Sequence, residues 1–103
     1  MARRTLTNNR RIYLCTYDVS DDKRRTKLFE LLKDHGEHVQ FSVFLCSLTT
    51  TEVKRLGATA MEIIHRDEDQ LLVIDIGPDQ SDWTANLVCH GKTWSPSVRS
   101  QII

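Results

Sequence analysis

The chain has 103 residues, with 14 basic and 14 acidic side chains and a formal net charge of zero. That length suits one domain, and the balance excludes both a polybasic protein held to nucleic acid by bulk charge and an acidic disordered tail. No apolar run approaches the roughly 20 residues of a spanning helix. The basic start Met1-Ala2-Arg3-Arg4 leads into polar residues and not into a signal-like apolar stretch. The expectation is a soluble, cytoplasmic protein with no membrane partner.

Arg11-Ile-Tyr-Leu-Cys-Thr-Tyr17 is rich in β-branched and aromatic residues and reads as a strand. Ile12 and Leu14 share one face, and Tyr13, Cys15 and Tyr17 the other. Both faces are largely apolar, which predicts a central strand covered on both sides. Ser20 or Asp21 then caps a helix in which Leu28, Leu31, Leu32 and His35 recur at helical spacing, with Gly36 as a left-handed stop. His38–Leu48 is strand-like, with Gln40-Phe41-Ser42 marking a tight turn. Thr49 and Glu52 have capping-box spacing ahead of a second helical period, Val53, Leu56, Ala60 and Ile63-Ile64. Residues 66–70 read as a solvated turn, Leu71–Ile76 as a buried strand ended by Gly77-Pro78, and the stretch from Asn86 to Trp94 as one or two short strands.

The order β-α-β-β-α-β fits an α+β, ferredoxin-like split βαβ sandwich with an additional C-terminal strand. The expected organisation is a polar arm over residues 1–10, the domain over 11–80, and a C-terminal segment over 81–103 for dimer or partner contact. Two helices cover only one sheet face, and an open apolar face of that size implies an interface, with a two-fold homodimer as the economical solution. Cys15, Cys46 and Cys89 are odd in number, widely spaced and set in apolar runs, so they read as buried free thiols.

Net zero hides a segregated charge. Residues 1–27 carry eight basic and three acidic side chains, a net +5, and residues 28–103 carry the balancing −5. Asp18 ends the first strand, a common position for a functional acid. Lys23, Arg24, Arg25 and Lys27 sit in the first two turns of the following helix, where the helix dipole disfavours cations. Together with Arg11 they suit phosphate contact, which is sequence-independent and salt-sensitive. One carboxylate is a poor magnesium site, because the ion wants an octahedral set of oxygens. Two Asp18 side chains meeting across a dimer axis could share one ion. Ser42 is either a turn residue or a site-facing hydroxyl. Phe44 reads as core, and Trp83 and Trp94 as anchors for packing or a partner.

The run Leu14-Cys-Thr-Tyr-Asp18-Val-Ser-Asp-Asp22-Lys-Arg-Arg25, followed by Val39-Gln-Phe-Ser-Val-Phe44, resembles the small CRISPR-associated nuclease of the spacer-acquisition machinery. The likeness covers most of residues 11–80. It implies a ferredoxin-like homodimer, a metal-dependent endonuclease on single-stranded RNA or double-stranded DNA, and a DNA-bridging partner of the CRISPR integrase subunit that supports spacer DNA. The implied metal ligand is Asp18, holding Mg2+ (or Mn2+) shared across the dimer. Tyr17, Asp18 and Ser42 are the implied catalytic residues, and Arg11, Lys23, Arg24, Arg25 and Lys27 the nucleic-acid contacts. The chain departs from the family pattern at Lys27, where an Arg is frequent, at Phe41, where a Tyr is frequent, and at Leu45-Cys46, where an acid and a glycine are common. Two other readings stay open: a non-catalytic scaffold for the integrase, and a stand-alone toxin-like ribonuclease.

Overall fold

The computed structural model describes residues 9–79 and 82–95. The expected arm up to residue 8 and the tail from residue 96 lie outside the described residues. Strand β1 is Arg11–Asp18, helix α1 Asp22–His35, β2 Glu37–Gln40, β3 Val43–Leu48, helix α2 Thr50–Ile63 and β4 Gln70–Pro78. They form one sheet in the order β2-β3-β1-β4, antiparallel throughout. This is the ferredoxin-like arrangement of two interleaved βαβ units.

Alternation along β1 sorts its side chains between two environments. Tyr13, Cys15 and Tyr17 are buried and face the helices, together with Phe44, Cys46 and Leu48 of β3. Leu28, Phe29 and Leu32 of α1 and Leu56 and Ala60 of α2 close over them. Local chemistry starts both helices. Asp21 accepts a hydrogen bond from the Arg24 backbone N–H at 2.9 Å, which holds its carboxyl below the usual range. Thr49 and Glu52 complete the expected capping box.

The opposite face is open. Cross-strand partners share a face, so Leu14 lies with Leu45 and Ile74, and Thr16 with Val43 and Leu72. Leu72 and Ile74 are each 45% exposed, and Ile76 is 53% exposed. The sequence expectation of a central strand covered on both sides therefore holds on one side of the single chain. The expected C-terminal strand does not form among the described residues. Trp83–Asn86 is a 3-10 turn capped by Asp82, and Gly91 bends the chain at φ 90°. This segment is fixed by side chains and not by a ladder. Trp94 Nε1 donates to the Val39 carbonyl at 2.8 Å, and the Trp83 and Trp94 rings meet edge-on with centroids 5.8 Å apart. Cys15 and Cys46 are buried free thiols as expected. Cys89 is exposed, because its apolar run lies off the sheet.

Two further expectations are corrected. Gly36 ends α1 at φ −167°, an extended and not a left-handed conformation. Its glycine is required by close approach: a Cβ there would lie 2.5 Å from the Leu45 carbonyl oxygen and closer still to Cys46 Sγ. The acidic turn is not simply solvated. The Asp69 side chain is fully buried. It accepts from Arg24 Nε at 2.6 Å, from Arg24 Nη2 at 3.2 Å and from the His65 backbone N–H at 2.8 Å. The Arg24 guanidinium accordingly holds the Asp69 carboxyl down to about 2.

Gly36→Ala should lower stability by about 1–3 kcal/mol in urea denaturation, since backbone and not a flexible tip must yield. Arg24→Ala should destabilise at neutral pH by leaving a buried carboxylate unpaired. Asp69 has a depressed folded pKa, so its contribution is present above the unfolded value of about 3.9 and lost as pH falls through about 2. The gap between wild type and Arg24→Ala should therefore close as denaturation is repeated from pH 5 down to pH 2.

Candidate functional site

β1 delivers Tyr17 and Asp18 to the end of the sheet where α1 begins. β2 and β3 reach the same end with their connection. Gln40 pairs with Val43, leaving Phe41 and Ser42 as a two-residue turn. Ser42 has φ 59°, a left-handed conformation in a residue other than glycine, worth on the order of 1–3 kcal/mol of strain. The Tyr17 backbone N–H donates to the Ser42 carbonyl at 3.2 Å, so turn and strand end are tied together.

Tyr17, Asp18, Val19, Arg25, Phe41 and Ser42 line one open cleft of about 380 Å³. The structure thus brings together all three residues expected to be catalytic and one of the five expected to hold nucleic acid. Asp18 is exposed, and its carboxylate has no ion-pair partner among the described residues. The Tyr17 hydroxyl is buried and has no hydrogen-bond partner among the described residues. Burial raises its pKa, with the nearby Arg25 charge opposing, so it stays a protonated donor. Arg25 donates from Nη1 to the Val19 carbonyl at 3.0 Å and the Ser20 carbonyl at 3.4 Å, and its Nη2 pairs with Asp22. The guanidinium is held against the cleft wall.

The other basic residues are placed differently. Arg11 starts β1, about 23 Å along the strand from Asp18, and pairs with Asp75 at 2.7 Å. Arg24 turns away from the cleft to Asp69 and Glu68. Lys23 and Lys27 are exposed on α1, with no ion pair among the described residues. His38 is half-buried on the edge strand β2, its ring stacked on Phe44 at 4.8 Å and edge-on to Phe29 at 5.1 Å. Phe44 is buried, as expected. Phe41 is 58% exposed at the cleft rim. Sequence reasoning assigned it only to a turn, although an apolar residue in a two-residue turn was the available signal.

No group of three or more His, Cys, Asp or Glu able to hold a metal occurs among the described residues. One chain supplies a single unpaired carboxylate at the cleft, which fits half of a magnesium site and not a whole one.

The CRISPR associated protein Cas2 family model matches residues 11–83. The chain belongs to this family. Among curated relatives, the CRISPR-associated endoribonuclease Cas2 of Geobacter sulfurreducens is 30% identical over 92 residues, covering 89% of this chain and 96% of that one. A hypothetical protein of Thermus thermophilus, TT1823, superposes with a TM-score of 0.67 at 32% identity, covering 84% of this chain and 99% of that one. Streptococcus pyogenes Cas2 superposes with a TM-score of 0.66 at 28% identity, covering 78% of this chain and 99% of that one. The Cas2 family match includes the whole sheet, both helices and every residue lining the cleft.

Ser42→Gly should leave thermal stability unchanged or raise it by up to about 1 kcal/mol, because glycine accepts φ 59° without strain. Ser42→Val should lower it by about 1–3 kcal/mol, since a β-branched residue is the worst occupant of that conformation. Paired thermal melts of the two variants check this, and equal loss in both would mean that the turn is not strained.

Proposed function

We propose that the chain is a metal-dependent endonuclease of CRISPR adaptation, acting as a homodimer on a phosphodiester backbone. One observation carries the reading: in a chain of the Cas2 family, Asp18, which has no ion pair among the described residues, lines the same cleft as Tyr17, Ser42 and a fixed Arg25. Relatives named endoribonuclease and endonuclease support it. The open apolar sheet face supports the dimer, since exposed patches of this kind mark interfaces.

In this reading Asp18 of two copies holds one Mg2+ or Mn2+. The ion, when bound, supplies Lewis-acid stabilisation of charge on phosphate. The chain's own residues bind and orient. Arg25 presents charge to a phosphate oxygen from a position fixed by two carbonyls, and Lys27 and Lys23 on the same helix add exposed charge along the strand. Tyr17 forms part of the cleft wall, and its hydroxyl lies buried behind it, where burial keeps it protonated. Ser42 lines the same cleft beside Tyr17.

The integrase subunit is the proposed partner, with spacer DNA, or RNA, as the nucleic acid. A second reading, a non-catalytic bridge for that integrase, is favoured by the single carboxylate per chain.

Asp18→Ala should reduce metal-dependent cleavage of labelled single-stranded RNA and duplex DNA by roughly 100-fold or more. Sedimentation and melting should be unchanged, because the Asp18 side chain supports no packing. Undiminished cleavage by the variant would sink the nuclease assignment. Normal spacer acquisition by the same variant, alongside lost cleavage, would make the bridging role the biological one.

A further inference from the structure

The chain has seven aromatic residues. Tyr13, Tyr17, Phe29 and Phe44 are buried, and Trp83 and Trp94 are half-buried against each other. Phe41 alone is exposed, at 58%, and it stands on the rim of the cleft that holds Asp18 and Arg25. We propose that Phe41 is a base-stacking platform, and that the cleft therefore takes a single strand with at least one unpaired base laid on this ring.

Three observations carry the assignment. The backbone that carries the ring is held in place. It occupies a two-residue turn whose second residue has φ 59°, and the turn is tied to β1 by the Tyr17–Ser42 backbone hydrogen bond. Tight turns ordinarily carry small or polar residues, so an apolar ring here violates the local rule beside a second violation at Ser42. The neighbours are right for a nucleotide: a fixed guanidinium suits the phosphate while the ring face suits the base. A charged groove flanked by an aromatic is how strands are bound without sequence preference, because every base has a π-face. A base locked in a duplex stack cannot offer that face, so the platform selects unpaired strands.

The inference rests on the cleft binding nucleic acid, and the test separates the two. Binding of full-length protein to a labelled oligothymidylate, and to an abasic strand of equal length and charge, is measured by anisotropy without divalent metal. Wild type should prefer the strand with bases. Phe41→Ala should weaken that strand by about 5- to 150-fold, the range for loss of one stacked base, and leave the abasic strand unchanged. Phe41→Trp should keep the preference, and its added indole fluorescence should be quenched by oligothymidylate but not by the abasic strand. If Phe41→Ala weakens neither strand, or both equally, the platform is overturned while the cleft stands as a phosphate site. If wild type binds neither strand, the nucleic-acid reading falls and the platform with it. A base-independent loss accompanied by a weaker dimer in sedimentation would assign Phe41 to contact with a second copy, and would also overturn the proposal.

Discussion

Strand β1 is hydrogen-bonded along both edges, to β3 over Arg11–Thr16 and to β4 over Arg11–Asp18. Neither edge can fray without breaking a ladder, so the strand's last residues have little freedom. Asp18 sits at that fixed end, and the chain turns at once into the capped start of α1. The hairpin between β2 and β3 meets the same point, because β3 is β1's neighbour and the Tyr17 N–H reaches back to Ser42. Arg25 enters from one turn inside α1. The cleft is thus a consequence of one strand lying at the centre of the sheet, with three chain segments converging on its end.

Charge plays a second part that sequence order obscures. The basic first quarter of the chain and the acidic remainder are not two separate surfaces. Arg10 pairs with Glu52, Arg11 with Asp75, and Arg24 with Asp69 and Glu68. Each of these pairs joins the early basic segment to the later acidic one. The exposed pairs contribute little individually. The Arg24–Asp69 pair differs, because the carboxylate is buried and fixes the turn before β4 against the start of α1. The segregation therefore serves assembly of the fold as much as display of a basic band. What remains for phosphate near Asp18 is narrower: Arg25 at the cleft, its charge shared with the exposed Asp22, and Lys23 and Lys27 outside it.

Much of the fold was legible in the sequence because its signals were local. The β-branched run of β1, the Thr49–Glu52 capping box and the helical spacing of Leu28, Leu31 and Leu32 each lie within a few residues, and each matches an observed element. Features fixed by distant partners were not legible. The burial of Asp69 depends on Arg24, 45 residues away. Gly36 looked like a helix stop, but the constraint is the backbone of β3 passing close by. The segment after β4 has strand-forming residues, yet here the two tryptophans hold it by side chains, Trp94 through the Val39 carbonyl of edge strand β2. In the site, Asp18 and Ser42 could be named from sequence, while Phe41 could not be told from an ordinary turn residue until its exposure was seen.

Strain and unmet polarity gather at one place. Ser42 has a left-handed backbone and Phe41 leaves its ring to water, while among the described residues the Tyr17 hydroxyl has no partner and Asp18 no counter-ion, all within the walls of one cleft. The strained backbone and the buried unpartnered hydroxyl cost free energy in the single chain, the kind of cost that a bound ligand relieves. A sheet of this order could close its hairpin with glycine and a polar residue and lose nothing in packing. That it does not, and that the double-laddered β1 and the buried Asp69 pair stiffen the elements around this end, is what joins stability to function here. Rigid surroundings hold the cleft in a conformation that its own residues would otherwise relax out of.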